Sequence, residues 1–324
     1  MGSALKRVLV VDPIAAAGEA LLARSAEVLR SPDSDPATIR RLAGEVDGII
    51  TRSKLPEDVF QSAPRVRAVA IHGTGTDLVP LADATARGVM VSNIPGGNAQ
   101  SVAEYCVMAM LMLSRSALGI ITTLKTKPWD DARALGAGTH EISGMTLGLV
   151  GVGEIGKRVA RIARQGFGMR VLGNQRHLER LPSDAEPSAL DDLISISDFV
   201  VVTCPLNKDT HHLFNRSRIE AMKPTAWLIN VGRGPVVDEQ ALIAALRERR
   251  IAGAMLDVYE HYRLPPGHPL LALDNAVLTP HLAGMTVESR ARMSVAAAEE
   301  ILRMLAGERP KNFVNPESID IAHH

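Results

Sequence analysis

The sequence predicts an α/β protein with two doubly wound parallel sheets. Short β-branched runs alternate with amphipathic helical stretches almost from end to end. These runs form two series, and the second is nearly continuously apolar, as parallel strands buried on both faces require. A glycine-rich turn, Gly151 to Gly156, lies directly after the first strand of the second series.

The first series fills the N-terminal part of the chain. Strands that alternate with helices of this length imply right-handed βαβ crossovers. The predicted strands are 7–11, 48–51, 66–71 and 89–91, and the helical stretches between them include 15–24 and 78–87.

The second series begins near residue 146 and contains six strand candidates with helices among them. The predicted strands are 146–150, 169–173, 199–203, 226–230, 253–257 and 276–280, and the helices are 154–166, 188–196, 216–222 and 238–250.

A long helix, 99–121, and a polar loop, 125–144, connect the two series. A last helix, 286–306, precedes a Pro/Asn/Gly tail that cannot form a domain alone, so we expect this helix to pack on the first series. The predicted domains are therefore 1–97 with 288–324, and an inserted domain, 98–287.

The glycine motif Gly151-Val-Gly153-Glu-Ile-Gly156 follows a strand and opens a helix. That context is typical of a Rossmann-type dinucleotide fold. Gly151 permits a tight turn, Gly153 lets the backbone approach a pyrophosphate, and Gly156 allows close helix–strand contact. The helix N-terminus offers N–H donors to phosphate. The alternative is a glycine-rich turn that binds no ligand.

The end of the next strand discriminates between NAD and NADP. An NAD-specific fold places a carboxylate there for the ribose hydroxyls. This chain reads Gly173-Asn174-Gln175-Arg176-His177 and has no carboxylate at that place. A guanidinium suits a 2′-phosphate, so we predict that NADP is preferred over NAD, with Arg176 and Asn174 as readers and His177 as a further candidate. The alternative is that Arg176 is an ordinary surface arginine.

Three further segments, 230–234, 257–260 and 279–284, stand at the ends of predicted strands, where ligands of open α/β sheets bind. Taken singly, Arg233 fits a structural ion pair, Asp257 a turn and His281 a satisfied loop histidine. Taken together beside a nicotinamide, the arginine fixes a carboxylate and polarises the adjacent carbonyl. The histidine then relays the proton that accompanies hydride transfer.

With these motifs the chain resembles the D-isomer-specific 2-hydroxyacid dehydrogenase family, in particular its phosphoglycerate dehydrogenase and hydroxypyruvate/glyoxylate reductase branch. The resemblance spans nearly everything from about residue 45 to 316. The matching segments are 51–53, 73–77, 93–98, 101–104, Trp129, 144–148, the glycine motif, 204–206, 230–234 and 280–281.

The resemblance implies a flavodoxin-like substrate domain that carries an inserted Rossmann domain, with the active site between them. It implies that Arg233 binds the substrate carboxylate and that His281 is the acid/base. The loop Gly73, Thr74, Gly75 and Thr76 would offer backbone N–H groups, and Asn98 would shape the cleft. Arg52 and Ser53 stand where phosphoglycerate-type relatives hold substrate phosphate.

The resemblance also implies a set of cofactor-binding positions and a dimer contact through the helix after Asn98. Asp257 would lie near the nicotinamide carboxamide, while Pro205 and Leu206 would line the adenine side. The complete cofactor set is Gly151, Gly153, Glu154, Ile155, Gly156, Asn174, Gln175, Arg176, Cys204, Pro205, Thr210, Val231, Gly232, Asp257, Ala283 and Gly284.

One position departs from the family pattern. The family carries a glutamate five residues after Asp257, paired with the catalytic histidine, and here that position is Tyr262. A neutral phenol holds a tautomer but does not stabilise an imidazolium as a carboxylate does. Glu260 is the alternative partner if the loop is reshaped. We therefore expect reduction to fall off at a lower pH than in relatives.

Composition limits the other classes of function. Lys plus Arg and Asp plus Glu both number 36, which excludes the basic excess typical of nucleic-acid binding. Two cysteines and no CxxC or His-rich spacing give neither a disulfide framework nor a predicted metal site. The apolar stretch 102–121 is interrupted by Glu104 and Arg115, so it predicts a buried or interfacial helix. We expect a cytoplasmic protein without a membrane or nucleic-acid partner.

The predicted activity is NAD(P)H-dependent reduction of a small 2-oxo acid to its D-2-hydroxy acid, by a homodimer. Glyoxylate and hydroxypyruvate are the leading substrates, and 3-phosphohydroxypyruvate stays open. Two alternatives are an NAD(H)-sensing scaffold or corepressor and a formate-dehydrogenase-like enzyme, which also lacks the glutamate.

Overall fold

We describe a computed structural model over residues 5–319. Residues 1–4 and 320–324, which belong to the predicted domain segments 1–97 and 288–324, lie outside the described residues. The chain divides into two units, Met1–Asn98 with Met285–His324, and Ala99–Gly284.

Strands and helices alternate through the described residues. The strands are β1 (Lys6–Val10), β2 (Ala26–Arg30), β3 (Gly48–Thr51), β4 (Ala68–Ile71), β5 (Met90–Ser92), β6 (Thr146–Val150), β7 (Arg170–Asn174), β8 (Glu186–Pro187), β9 (Phe199–Val202), β10 (Trp227–Asn230), β11 (Gly253–Leu256) and β12 (Ala276–Leu278). The helices are α1 (Ala16–Leu22), α2 (Pro36–Ala43), α3 (Leu81–Ala86), α4 (Ala99–Ser114), α5 (Ala117–Thr126), α6 (Trp129–Ala134), α7 (Glu154–Arg161), α8 (Leu190–Ile196), α9 (Arg216–Ala221), α10 (Glu239–Arg247) and α11 (Val287–Leu305).

The first unit is a five-stranded parallel sheet in the order β2-β1-β3-β4-β5. This is the flavodoxin-like order, with its topological switch between β1 and β3. Helix α11 returns to this sheet, as the sequence predicts: Ala297, Ala298 and Ile301 pack in one apolar cluster with Val8 and Ala70. The carboxyl ends of β3 and β4 lead into the segments that carry Arg52 and the Gly73 loop.

The second unit is a seven-stranded parallel sheet in the order β12-β11-β10-β9-β6-β7-β8. The order reverses between β6 and β9, which is the Rossmann switch point where ligands of such sheets bind. The six predicted strands are all present, and β9, β10 and β11 are buried almost throughout. The prediction of two doubly wound parallel sheets is confirmed.

The structure corrects two expectations about elements and adds β2, a strand that the sequence did not predict. The predicted helix 99–121 ends at Ser114, and α5 begins after Ser116, which has a left-handed φ of 48°. The predicted loop 125–144 contains α6 and a short 3₁₀ turn. Strand β2 was not predicted because only Ala26 is buried, and such an edge strand has little apolar signal.

No single helix among residues 5–319 is long and apolar enough to span a membrane. Only α4 and α5 taken together meet that criterion, and they are bent by 57° relative to one another.

Candidate active site

The glycines of the 151–156 turn meet different constraints. Gly151 has φ +90°, and a Cβ there would lie 2.6 Å from the Cys204 backbone. A Cβ on Gly156 would lie 2.7 Å from the Gly151 carbonyl oxygen. A Cβ on Gly153 would have nothing within 4 Å. Packing thus requires glycine at 151 and 156, whereas Gly153 borders open space, as expected where a ligand approaches the backbone.

Helix α7 begins directly after Gly153, which is its N-cap and makes no side-chain capping bond. The first N–H groups of a helix need such partners, and a phosphate supplies them. Glu154 lies in this first turn, and its carboxylate is 2.8 Å from Arg158 Nη1. The hydrogen bond from Arg158 lowers the pKa of Glu154, and the ion pair neutralises an acid that would repel phosphate. The Thr203 hydroxyl donates to the Gly151 carbonyl and holds the turn. These residues fit a dinucleotide pyrophosphate.

The segment after β7 carries the predicted cofactor readers. Asn174 Nδ2 donates to the Ser188 carbonyl at 2.9 Å, so its amide shapes the loop. Gln175 Nε2 donates to the His177 carbonyl at 2.8 Å. The Arg176 side chain is 74% exposed.

The exposed Arg176 pairs with an acid from another loop. Its Nη2 lies 3.1 Å from Asp209 Oδ2. His177 Nδ1 lies 3.2 Å from Glu179 Oε1. A guanidinium is therefore present at the surface beside the end of β7, with one exposed carboxylate as its counter-ion.

The loop after β9 faces the glycine turn. Cys204 is buried, and burial raises the pKa of its thiol to about 11, so the thiol stays protonated near neutral pH. The Thr210 hydroxyl donates to the Pro205 carbonyl at 2.7 Å and accepts from the Asn207 N–H at 2.8 Å. The Thr210 side chain therefore fixes the shape of the loop that carries Pro205 and Leu206.

Arg233 follows β10 in a turn that Asn230 organises. Asn230 is buried; its Oδ1 accepts from the Gly232 N–H at 3.1 Å, and its Nδ2 donates to the Arg233 carbonyl at 3.1 Å. Arg233 Nη1 donates to the Gly232 carbonyl at 2.8 Å. A Cβ on Gly234 would overlap the Tyr259 backbone, so the Arg233 turn packs directly on the segment after β11. Val231 lies half-buried in the same turn.

Asp257, at the end of β11, holds the turn that carries His281. Its Oδ1 accepts from the Leu282 N–H at 2.8 Å and its Oδ2 from the Ala283 N–H at 2.9 Å. The His281 N–H donates to the Asp257 carbonyl at 3.0 Å. His281 itself has a left-handed φ of 54°, a conformation that persists only where the surroundings enforce it. The turn continues into Gly284, the last residue of this unit.

A second set of hydroxyl groups braces the same turn from behind. The Thr279 hydroxyl donates to Asp257 Oδ1 at 2.7 Å and contacts the Tyr105 hydroxyl at 2.5 Å. The Tyr259 hydroxyl donates to the Thr279 carbonyl at 2.8 Å. Burial raises the pKa of both phenols, that of Tyr259 to about 12, so both stay protonated donors. The His281 turn is thus fixed from α4, β11 and the end of β12.

Tyr262 and Glu260 take different places. The Tyr262 ring lies edge-on to the His281 ring, with centroids 5.8 Å apart. Glu260 Oε2 lies 3.5 Å from His212 Nε2, and the Glu260 N–H donates to Glu239 Oε2 at 3.1 Å. Tyr262, at the position where the family carries glutamate, therefore lies beside His281.

The first unit carries the predicted substrate-binding residues. The N–H groups of Arg52 and Ser53 both donate to Asp12 Oδ2, at 2.7 and 2.8 Å, and the Ser53 hydroxyl donates to Asp12 Oδ1 at 2.6 Å. Asp12 was missed from the sequence, although an acid at the end of β1 is a recognisable signal.

The loop of Gly73, Thr74, Gly75 and Thr76 is anchored by the segment after β5. The Ile94 N–H donates to the Gly73 carbonyl at 2.8 Å, and Asn93 Nδ2 donates to the Thr74 carbonyl at 2.6 Å. The Thr74 hydroxyl lies 3.5 Å from Asn98 Oδ1. Asn98 therefore supports this loop directly.

Comparison with known proteins agrees with this geometry. The glyoxylate reductase of Thermofilum pendens is 38% identical over 276 residues, 83% of this chain and 80% of that protein. The glyoxylate/hydroxypyruvate reductase B of Yersinia pestis is 34% identical over 294 residues, 89% of each chain.

A solved structure shares the fold. The NADPH-dependent glyoxylate/hydroxypyruvate reductase of Sinorhizobium meliloti, solved with NADP and malonate, has a TM-score of 0.84 and 29% identity, over 97% of both chains. Residues 107–283 match the NAD binding domain of the D-isomer specific 2-hydroxyacid dehydrogenases. With a Rossmann sheet, a glycine turn open to phosphate, and an arginine and a histidine that follow strands β10 and β12 of that sheet, the chain belongs to the D-isomer specific 2-hydroxyacid dehydrogenase family, an NAD(P)-binding oxidoreductase family.

Proposed function

We propose that this protein reduces glyoxylate to glycolate and hydroxypyruvate to D-glycerate, with NADPH as the preferred coenzyme. One observation carries the proposal. The adjacent strands β10, β11 and β12 end in Arg233, Asp257 and the His281 turn, and Asp257 holds that turn through two backbone N–H groups. The reductase names of the relatives favour this activity over the scaffold and the formate alternatives.

In the proposed mechanism Arg233 binds the substrate carboxylate and, beside it, stabilises the negative charge that develops on the carbonyl oxygen. His281, in its imidazolium form, donates a ring proton to the carbonyl oxygen and becomes a neutral imidazole. The nicotinamide coenzyme, held by the glycine turn and α7, supplies the hydride when bound.

A substrate panel tests the activity. Oxidation of NADPH is followed with glyoxylate, hydroxypyruvate, 3-phosphohydroxypyruvate and pyruvate, and formate is tried with NADP. We expect turnover with glyoxylate and hydroxypyruvate, and a fall in kcat/KM of about 10²-fold or more in Arg233→Gln. A wild-type protein that binds NADPH but turns over none of the 2-oxo acids would refute the proposal and favour a scaffold.

Asp12 argues against a phosphorylated substrate. The Ser53 hydroxyl and the Arg52 and Ser53 N–H groups, which would otherwise be donors for a phosphate, are all bound to the Asp12 carboxylate. A carboxylate at that place repels a dianion. We therefore expect a lower kcat/KM for 3-phosphohydroxypyruvate than for hydroxypyruvate. The order would reverse if Arg52 nevertheless served a substrate phosphate.

The coenzyme preference rests on Arg176. The solved reductase of S. meliloti holds NADP, which supports the preference by likeness. In this chain the Arg176–Asp209 pair is solvent-exposed, and a 2′-phosphate dianion competes well with one carboxylate for a guanidinium. We expect Arg176→Ala to weaken the binding of NADPH about tenfold or more and to change the binding of NADH little.

Asp209→Asn is the matched variant, because it removes only the competing charge. This variant should bind NADPH more tightly than the wild type and should bind NADH with unchanged affinity. Equal effects of Arg176→Ala on the two coenzymes would show that Arg176 is an ordinary surface residue.

We propose that two copies of the chain form a homodimer through α5. Leu118, Ile121 and Leu124 of this helix are each 45–49% exposed. Exposed apolar patches of this kind mark interaction sites. Light scattering is expected to give the mass of a dimer for the wild type and of a monomer for Ile121→Glu. A monomeric wild type would contradict the proposal.

A further inference from the structure

Three metal-ligating side chains meet at a place that the proposed mechanism does not use. His211, His212 and Glu260 each offer a ligand atom, and these atoms all lie within 4.8 Å of one another. His211 and His212 come from the loop after β9, and Glu260 from the segment after β11. The two imidazole rings stack with centroids 4.1 Å apart.

Two atoms of this cluster lack hydrogen bonds. His212 Nε2 and Glu260 Oε2 are buried and face one another at 3.5 Å, and neither has a hydrogen-bond partner among residues 5–319. Buried polar atoms are nearly always hydrogen-bonded or bound to a metal ion. A cation that binds both atoms would satisfy them together.

The backbone holds the ligands in place. His212 has a left-handed φ of 49°, and its N–H donates to the Pro235 carbonyl at 2.8 Å. The Glu260 N–H donates to Glu239 Oε2 at 3.1 Å. Glu239 in turn pairs with His268, whose Nε2 lies 3.2 Å away, and both of these side chains are nearly buried. Rigid support of this kind is what a preformed ligand set requires.

We propose that His211, His212 and Glu260 bind a divalent transition-metal cation of the Zn²⁺ class. Two imidazole nitrogens and one carboxylate oxygen form a set that Zn²⁺ accepts, with the fourth position taken by water. Mg²⁺ and Ca²⁺ prefer oxygen ligands and are disfavoured here. The ion joins the loop after β9 to the segment after β11, two residues before Tyr262. Its binding is independent of the proposed reaction.

Calorimetric titration of the full chain with Zn²⁺, after removal of metals with a chelator, tests the site. We expect one equivalent of tightly bound Zn²⁺ that excess Mg²⁺ does not displace. His212→Asn and Glu260→Gln should each bind Zn²⁺ at least tenfold more weakly than the wild type. Asparagine suits the left-handed backbone at 212, so that variant retains the loop. His211→Gln, in an exposed side chain, gives a second test that does not depend on the fold of the loop.

The matched control is His261→Ala, because His261 is an exposed histidine next to Glu260 and outside the cluster. Its Zn²⁺ affinity should equal that of the wild type, and so should its visible spectrum with Co²⁺. The proposal is overturned if Zn²⁺ does not bind, if the three ligand variants bind it as tightly as the wild type, or if His261→Ala weakens it equally. Any of these results leaves His212 and Glu260 as a simple ion pair. The NADPH-dependent turnover of the same samples reports separately on the proposed function.

Discussion

Two glycines of the glycine turn, Gly151 and Gly153, are expected to affect stability and coenzyme binding separately. Gly151→Ala adds a Cβ against the Cys204 backbone at a φ of +90° and should destabilise the protein by about 2–4 kcal/mol. Gly153→Ala adds a Cβ in open space, so its free energy of unfolding should stay within about 0.5 kcal/mol of the wild type. Its Kd for NADPH should nevertheless rise, because the methyl group meets the pyrophosphate.

Urea unfolding and fluorescence titration with NADPH measure the two effects. The assignment of a packing role to Gly151 and a coenzyme-binding role to Gly153 is wrong if Gly153→Ala unfolds as easily as Gly151→Ala, or if it binds NADPH as tightly as the wild type.

Tyr262 lies beside His281, the acid of the proposed mechanism. A carboxylate beside an imidazole favours its charged form and raises its pKa, and the phenol at this position does not. In Tyr262→Glu, we therefore expect the pH above which kcat/KM for 2-oxo acid reduction falls to move upward by about one unit. Tyr262→Phe is the control and should leave that pH in place. An unchanged profile in Tyr262→Glu would show that residue 262 does not act on His281.

The roles of Arg233 and His281 could be proposed from the sequence because each follows an apolar strand, where ligands of parallel sheets bind. Their supports could not. Tyr105 and Thr279 are 174 residues apart, and no periodicity links them. The bonds from the Leu282 and Ala283 N–H groups to Asp257 are backbone contacts, which residue type does not report.

At the scale of elements, the Tyr105 hydroxyl of α4 contacts Thr279, whose own hydroxyl donates to Asp257 beneath the His281 turn. Tyr105→Phe removes its contact with Thr279, which we expect to cost about 1 kcal/mol of positioning and to lower kcat about fivefold. KM should change little, because substrate and coenzyme contacts remain. Steady-state kinetics separates the two constants. A fall in stability with kcat intact would show a purely structural contact.

The packing of α11 behind β4 makes the first unit sensitive to acid. His72 follows β4, and its Nε2 lies 2.9 Å from the Ser294 hydroxyl of α11. Burial lowers the pKa of His72 from 6.5 to about 4. Below pH 6.5 the unfolded chain binds a proton that the native protein does not bind until about pH 4, so stability falls as the pH falls through this window.

His72→Gln removes this titration and retains a donor for Ser294. Between about pH 7 and about pH 5 the variant should lose about 2 kcal/mol less of its unfolding free energy than the wild type does. Urea unfolding at the two pH values gives the difference. Equal losses in both proteins would mean that His72 does not titrate as its burial requires.

Elements with strong apolar runs were predicted well, and amphipathic or short ones were not. Strands β9, β10 and β11 are buried throughout or nearly so, and their sequences show it. The break between α4 and α5 depends on the left-handed Ser116, and the neighbouring Arg115 interrupts the apolar run without predicting that the helix ends there. Helix α6 begins at the exposed Trp129 in a segment whose polarity favours a loop.

At the scale of the whole molecule, each of the two parallel sheets carries residues for which the family resemblance implies a role. The Rossmann unit holds the glycine turn, Arg233 and His281, and the flavodoxin-like unit holds the Gly73–Thr76 loop. Balanced charge and alternating strands pointed to this class of protein, but the proposed preference for substrates without phosphate rests on Asp12, whose contacts only the fold shows.

The most direct test of the central claim is the kcat/KM of His281→Asn for hydroxypyruvate, measured with a parallel Kd for NADPH. Asparagine accepts the left-handed backbone at 281, so the turn is retained and only the proton donor is lost. We predict a fall in kcat/KM of about 10²–10⁴-fold with the Kd for NADPH unchanged. A variant that reduces hydroxypyruvate within about threefold of the wild type would contradict the account, because His281 would then not be the acid.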